Sequence, residues 1–269
     1  MKMHGLGNDF VVLDGRVQTV KMTANLAQAI GDRHRGVGFD QLAIIEPSEG
    51  DAAARLTFYN ADGSTAGACG NATRCIARHL MTETELPELV LTTERGHLLR
   101  ARDAGRGLTS VNMGPPQLAW DKVPLAKETD TLELPIDGAP TATGMGNPHC
   151  TFFVADAEKV DLESRGFEIE HHPLFPERTN VQFASVIGNN HLRMRVWERG
   201  VGVTLASGSS SCATAVAAAR RGLTGPRVQI DLDGGTIEID WRDDGVWMTG
   251  PTAHVFTGTL RPDWLEQAS

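Results

Sequence analysis

The stretch Gly7-Asn8-Asp9-Phe10-Val11-Val12-Leu13-Asp14 is a turn running into an apolar strand, and Gly146-Asn147-Pro148-His149-Cys150-Thr151-Phe152-Phe153-Val154 repeats its grammar 139 positions later. Working outward, Phe39-Asp40-Gln41-Leu42-Ala43-Ile44-Ile45 is matched by Arg178-Thr179-Asn180-Val181-Gln182-Phe183-Ala184, with Gln41 and Asn180 again 139 apart. Leu56-Thr57-Phe58-Tyr59-Asn60 faces Met194-Arg195-Val196-Trp197-Glu198, and Ala68-Cys69-Gly70-Asn71 faces Ala206-Ser207-Gly208-Ser209, both at an offset of 138. Val111-Asn112-Met113-Gly114-Pro115 and Trp247-Met248-Thr249-Gly250-Pro251 close the series at 136. Any one pair is weak, because Gly-Asn and Gly-Pro turns are common. Five in one order at a nearly constant offset mark an internal duplication. The expected organisation is two homologous α/β halves, 1–120 and 130–269, related by a pseudo-twofold axis. Leu125 to Pro140 serves as the crossover, and the C-terminal strand is free to cross back.

Local patterning agrees with a duplicated α/β design. Short apolar or alternating runs predict strands at Val11–Leu13, Leu42–Ile45, Leu56–Tyr59, Leu89–Thr92 and Val111–Met113. In the second half they fall at Thr151–Val154, Val181–Val186, Leu192–Trp197, Val228–Leu232 and Thr236–Trp241. Helices are expected over Thr23–Arg33 behind a Thr cap, over Asn71–Met81, and over Ser210–Arg221. The last is rich in alanine, which combines high helix propensity with little bulk, so it belongs at the centre of its half. Asn71–Met81 is its counterpart.

Composition removes several classes of function. An apolar fraction of 41% against 22% charged residues suits a globular chain with a real core. The net charge of −9, without a lysine- or arginine-rich run, argues against nucleic acid or an anionic membrane as partner. Met1 to Asn8 lacks the apolar core of a secretory signal, and no later run approaches membrane-spanning length. Four cysteines are too few for a disulfide scaffold, so the expectation is a soluble, acidic, cytoplasmic protein.

Chemistry is expected where the duplicated turns meet the central helices. A thiol immediately before a helix start sits near unsatisfied backbone N–H groups and the positive end of the helix dipole, which favours the thiolate. The same N–H groups cradle a carboxylate, and glycine lets it approach. Cys69-Gly70-Asn71 therefore reads as a base plus an anion cradle. Ser207-Gly208-Ser209 keeps the cradle but offers a hydroxyl, far less acidic than a thiol. Cys75, Cys150 and Cys212 read as packing residues. Asn8, Gln41, Asn60, Asn147 and Asn180 stand at paired strand ends or turns, with Glu198-Arg199 on the last pair. Amides there often cap turns; together they also suit a zwitterion, with Arg199 as carboxylate fork and Glu198 as ammonium acceptor. His171-His172-Pro173 reads as an exposed turn. No CxxC, HExxH, Walker loop or GxGxxG opening a βαβ unit is present, so neither metal nor nucleotide cofactor is expected. Ser207 also lacks the G-x-S-x-G surround of a hydrolase.

Met3-His4-Gly5-Leu6-Gly7-Asn8-Asp9-Phe10, Gly36-Val37-Gly38-Phe39-Asp40-Gln41 and Asn60-Ala61-Asp62-Gly63-Ser64, leading to Cys69-Gly70-Asn71, form one part of a longer signature. Gly146-Asn147-Pro148-His149, Glu177-Arg178-Thr179-Asn180-Val181 and Trp197-Glu198-Arg199-Gly200 complete it. In this set the chain resembles the diaminopimelate epimerase family of cofactor-independent amino-acid epimerases, over nearly its whole length. The resemblance implies two pseudosymmetric α/β (α+β) domains, each a mostly antiparallel sheet wrapped round a central helix, with the active site in the cleft between them. It implies a two-base reaction on LL- or meso-diaminopimelate without pyridoxal phosphate or metal, in a homodimer of lysine and amino-acid biosynthesis. By position it assigns one catalytic thiol to Cys69. It assigns substrate contacts to Asn8, Gln41, Asn60, Gly70, Asn71, Asn147, Asn180, Glu198, Arg199, Gly208 and Ser209.

The chain departs from the family at the second base. Where the family motif resembles G-E-T-x-A-C-G-T-G, this chain has Gly202-Val203-Thr204-Leu205-Ala206-Ser207-Gly208-Ser209-Ser210. Ser207 takes the place of the cysteine and Val203 that of the glutamate. Several expectations follow. One is an epimerase impaired by a Cys→Ser change that preserves shape and ligand binding. Another is a one-base enzyme or dehydratase acting on a hydroxylated amino acid, as in related proline racemase-like enzymes. The others are a weak epimerase working through Ser207 and water, and a non-catalytic amino-acid-binding protein.

Overall fold

The computed structural model describes residues 1–67 and 69–268; Ala68, in one of the repeated turns, and Ser269 lie outside the described residues. The chain forms two compact units, Met1–Val111 with Pro251–Ser269, and Asn112–Gly250.

The first unit is built from β1 (Lys2–Gly5), β2 (Asn8–Asp14), α1 (Ala24–Gly31), β3 (Gln41–Glu46), β4 (Ala54–Asn60), β5 (Thr65–Ala66), α2 (Gly70–Thr84), β6 (Glu88–Thr93), β7 (Leu98–Gly105) and β8 (Leu108–Asn112). Along β1-β2-β3-β4-β6-β7-β8 successive pairings are antiparallel, parallel, antiparallel, parallel, antiparallel and antiparallel. Parallel neighbours need a crossover, and the helices supply it: α1 joins β2 to β3, and α2 lies between β4 and β6 in the chain. The expected cap of α1 is present, Thr23 accepting from the Leu26 amide at 3.1 Å.

The second unit contains β9 (Thr141–Gly144), β10 (Pro148–Phe153), α3 (Leu162–Glu170), β11 (Asn180–Gly188), β12 (His191–Glu198), β13 (Gly202–Thr204), α4 (Gly208–Arg220), β14 (Arg227–Leu232), β15 (Gly235–Arg242) and β16 (Gly245–Pro251). Its order β9-β10-β11-β12-β14-β15-β16 repeats the same sequence of pairing senses. α3 and α4 occupy the crossovers that α1 and α2 occupy in the first unit. The short strands β5 and β13 hang antiparallel on β4 and β12. The repeated Gly-Asn turns also match: Gly7 and Gly146 have φ of 85° and 86°, the left-handed region in which glycine carries no steric penalty.

The C-terminus returns to the first unit. β17 (Ala253–Phe256) pairs antiparallel with β1, and α5 (Pro262–Ala268) follows. Leu260, Trp264 and Leu265 pack on the cluster of Val11, Leu26, Ile30, Phe39, Leu42 and Ile44.

Both central helices are buried over most of their length. α2 encloses Ile76, Ala77, Leu80 and Met81, and α4 encloses Ala213, Ala215, Val216, Ala217 and Ala218, where small side chains let the sheet approach the helix backbone. The segment from Leu125 to Pro140 is irregular backbone, and it supplies Leu125 and Leu134 to the second unit's core, beside Phe152, Phe175 and Phe183. Apolar residues spaced without a period carry burial but no regular element. Among the described residues no helix is long and apolar enough to cross a membrane.

Candidate functional site

In each unit the start of the first parallel strand, the start of its partner, the end of the next strand and the start of the central helix carry the residues singled out above. In the first unit these are Asn8, Gln41, Asn60 and the Cys69-Gly70-Asn71 turn. In the second they are Asn147, Asn180, Glu198-Arg199 and Ser207-Gly208-Ser209. The topology explains the grouping: in β2∥β3 and β10∥β11 both starts share one end, and the antiparallel β4 and β12 finish there.

In the first unit, Cys69 is the N-cap of α2, half-buried, with Sγ accepting from the Ala72 amide at 3.5 Å. Gly70 and Asn71 are buried in the first turn, where amides have no intrahelical acceptor. Asn71 is tied on both sides. Its Nδ2 donates to Asn8 Oδ1 at 3.2 Å, and its Oδ1 accepts from the fully buried Arg74 at 2.9 Å. Arg74 also donates to the carbonyl of Pro251 at 3.2 and 3.3 Å. Gly5 makes room for this guanidinium, since a Cβ there would come within 2.7 Å of it. Asn8 donates in turn to Asp40 at 2.8 Å, and Arg33 bridges Asp40 and Asp9. Burial pushes Asp9 upward, but hydrogen bonds from Arg33 and Lys2 and their charges outweigh it and hold the carboxyl at about 2. Gln41 and Asn60 are register partners; Gln41 donates to Asn60 Oδ1 at 3.0 Å, and Asn60 donates to Ser64 at 3.0 Å.

In the second unit, Ser207 is the N-cap of α4 but makes no side-chain cap. Its hydroxyl donates instead to Glu198 Oε2 at 2.9 Å, while Thr204 donates to Glu198 Oε1 at 2.6 Å. Ser207 is only 4% exposed. Gly208 is buried and Ser209 half-buried at the helix start. The Asn180 amide spans two elements, donating to the Pro148 carbonyl at 3.0 Å and accepting from the Arg199 amide at 3.0 Å. Arg199 donates to the Glu177 carbonyl at 3.0 Å. Asn147 Oδ1 lies 2.8 Å from His149 Nε2, and His149 Nδ1 lies 3.1 Å from Gln182 Nε2. Amide oxygen accepts and amide nitrogen donates, so the imidazole is protonated on Nε2. Complete burial, aided by the Arg199 charge, pulls the His149 pKa down to about 3 and keeps the ring neutral.

Arg74, Asp40, Thr204, His149 and Gln182 are thus parts of the two arrangements that the sequence reading did not single out for chemistry. Arg74 had a signal: it lies three residues after Asn71, on the same helix face and amid residues expected to be buried. The other cysteines are packed, as expected. Cys75, Cys150 and Cys212 are each no more than 1% exposed, and burial pushes the Cys75 thiol up to about 11 and Cys150 further still. His171 is exposed at the end of α3, followed by the His172-Pro173 turn. Among the described residues no group of three or more His, Cys, Asp and Glu side chains is placed to hold a metal.

The family profile described as Diaminopimelate epimerase matches residues 1–119 and 141–255 of this chain. A diaminopimelate epimerase of Rhodospirillum centenum is 52% identical over 266 residues, covering 97% of this chain and 91% of the relative. One from Acidiphilium cryptum is 51% identical over 266 residues, covering 97% and 95%. Among solved structures, a probable proline racemase from Agrobacterium radiobacter superposes with a TM-score of 0.67 at 16% identity, covering 97% of this chain and 93% of that one. A predicted epimerase from Pseudomonas aeruginosa gives 0.66 at 15% identity, covering 96% and 98%. At such identities the structural likeness speaks for the two-domain fold.

Proposed function

The chain belongs to the diaminopimelate epimerase family, and on that premise we propose that it inverts one α-carbon of LL-diaminopimelate to give the meso isomer, without an organic cofactor or metal. The observation that carries the reading is the pair of equivalent helix starts. One is capped by a thiol, and at the other the N-cap residue turns its hydroxyl to a carboxylate instead.

Epimerisation needs a base on one face of the α-carbon and an acid on the other. We assign these roles to Cys69 and Ser207. In one direction the Cys69 thiolate takes the α-proton, the C–H electron pair stays on carbon and spreads into the adjacent carboxylate, and Ser207 returns a proton. Glu198, when protonated, resupplies Ser207. In the reverse direction Ser207 Oγ takes the α-proton while its own proton passes to Glu198 Oε2, along the hydrogen bond already formed at 2.9 Å. Gly70, Asn71, Gly208 and Ser209 offer helix-start amides to the carboxylate that must accept the charge. Asn8, Gln41, Asn60, Asn147 and Asn180 supply amide contacts, and Arg199 keeps guanidinium N–H groups for the distal carboxylate.

A serine paired with a glutamate is a poorer acid–base partner than a thiol, since its pKa lies further from neutrality. General acid–base catalysis contributes roughly 10²–10⁴ in rate, so the chain falls short of a two-thiol enzyme by up to about that factor. We also place the protein in the cytoplasm as a homodimer. β17 is paired with β1 on one side and presents Val255 and Phe256, 57% and 52% exposed, as a face for a second copy. Sedimentation of the wild type against Phe256→Asp reads that state.

The function is tested by incubating LL- and meso-diaminopimelate separately in D₂O with the protein and with Ser207→Cys, following α-proton signals and chiral composition. The expected result is slow epimerisation by the wild type and a large gain in the cysteine variant. Binding by both proteins without epimerisation by either overturns the reaction. Dehydration of a hydroxylated amino acid would then identify a one-base enzyme, and no turnover of any kind a binding protein.

A further inference from the structure

Glu170 is the last residue of α3, and its side chain is only 3% exposed. Burying a carboxylate is expensive unless donors meet it, and here two do. Trp197 Nε1–H donates to Oε2 at 2.7 Å, and the Gly200 amide donates to Oε1 at 2.9 Å. Arg178 adds a guanidinium 3.6 Å from Oε1. Trp197 and Gly200 bracket Glu198 and Arg199, and the Arg199 amide is held by Asn180 Oδ1 at 3.0 Å. The turn that aims both charged side chains is therefore fixed by three hydrogen bonds that it donates to two side chains, Glu170 and Asn180. Gly166, one helical turn before Glu170, presses α3 against the same indole; a Cβ there would approach the Trp197 ring to 2.5 Å.

We infer that Glu170 is a positioning residue, acting through the 197–200 turn to set where Arg199 and Glu198 meet an amino-acid substrate. Packing alone does not call for a carboxylate here. Two converging N–H donors do, because only a carboxylate offers each of them an oxygen in this volume. The inference rests on the proposed substrate for its binding assay, and one readout is independent of it.

The experiment compares wild type, Glu170→Gln, Trp197→Phe and the double variant. Affinity for meso-diaminopimelate is measured by calorimetry, and amide hydrogen exchange over residues 197–203 by mass spectrometry. Gln keeps the size of Glu170 but turns an amide nitrogen toward one donor. The expected result is about tenfold weaker binding and faster exchange in the turn, the loss of one hydrogen bond to a charged group. Trp197→Phe removes the indole donor, so the double variant again offers Gln Oε1 to the Gly200 amide. It is expected to bind more tightly than Glu170→Gln alone. A merely structural Glu170 lowers the melting temperature in each variant but leaves affinity and turn exchange at wild-type values, and that result overturns the inference. Additive losses in the double variant overturn it too. Should Glu170→Gln fail to fold, Trp197→Phe alone must still speed exchange at Gly200. Absence of binding by the wild type refutes the substrate, and exchange over 197–203 then decides the role of Glu170.

Discussion

Acid should unfold this protein earlier than its carboxylates alone require, because His149 is buried as the neutral ring. Its folded pKa, about 3, lies below the ordinary value of 6.5, with burial as the main cause and the Arg199 charge second. Below pH 6.5 the unfolded chain binds a proton here that the folded chain refuses, so stability falls as pH falls, until the folded ring itself titrates near 3. One pH unit in that window costs about 1.4 kcal/mol. Linkage then gives a loss of about 2 kcal/mol between pH 7 and pH 5, and about 3 kcal/mol by pH 4. The figure at pH 5 hardly depends on how far below 5 the folded pKa lies. Asp9, held at about 2, costs stability only below the ordinary carboxylate value of 3.8 and stays out of this window. His79 is also lowered by burial, so the informative quantity is a difference. Urea unfolding at pH 7, 6 and 5 is compared for wild type and His149→Gln, which has a donor and an acceptor for Asn147 and Gln182 but does not titrate. The variant should lose about 2 kcal/mol less than the wild type over this range. Parallel pH profiles would refute the claim that a neutral imidazole is locked into the second unit.

Three further outcomes are expected. Cys69→Ala should abolish net epimerisation and the α-proton exchange of the isomer whose proton Cys69 removes, leaving only the slow exchange of the other isomer through Ser207, because the only proposed thiol base of this chain is gone; α-proton signals of each isomer in D₂O read the difference. In the native protein at neutral pH, a thiol reagent should label Cys69 and leave Cys75 and Cys150 untouched until denaturant is added; peptide mapping reads which sulfur is modified, and burial and the raised pKa values set the order. Gly166→Ala should destabilise the fold by about 1–3 kcal/mol in urea titration despite alanine's better helix propensity, because the new methyl meets the Trp197 ring at 2.5 Å.

The duplication was the most legible feature of the chain because turns constrain residue type more tightly than strands do. Gly7 and Gly146 must sit at positive φ, and the asparagines after them start strands whose partners begin one crossover later. Such positions keep their spacing while the apolar residues between them drift. Elements without a turn constraint were harder to read. α3 spans nine residues carrying Glu163, Arg165, Glu168 and Glu170, and its apolar face is interrupted by Gly166, so no helical period stands out. β17 is four residues long and mostly exposed, and β7 leaves Leu98 in solvent. The candidate side chains were legible as a set of polar residues, yet their connections were not. Arg74 reaches Pro251 across 177 positions, and no local pattern announces that partner.

The asymmetry inside the duplication carries the chemical argument. Position 60 is an asparagine, its amide engaged by Gln41 and Ser64, so it presents a neutral group where the second unit has a carboxylate. Cys69 accordingly turns its sulfur to the Ala72 amide, where the helix start stabilises negative charge on it. Position 198 is a glutamate, and a carboxylate outcompetes a backbone amide for a hydroxyl. Ser207 therefore gives its proton to Glu198 and makes no side-chain cap. One backbone frame thus yields a thiol set up to hold charge and a hydroxyl set up to pass a proton to its neighbour. Two such groups are matched in position and unmatched in acidity. If they work on one α-carbon, the two stereoisomers lose their protons to different bases. The rates of α-proton exchange from LL- and meso-diaminopimelate should then respond differently to pH, following the thiol for one isomer and the carboxyl behind Ser207 for the other. Identical pH profiles for the two isomers would show that a single group does all the proton transfer and that Ser207 has no share in it.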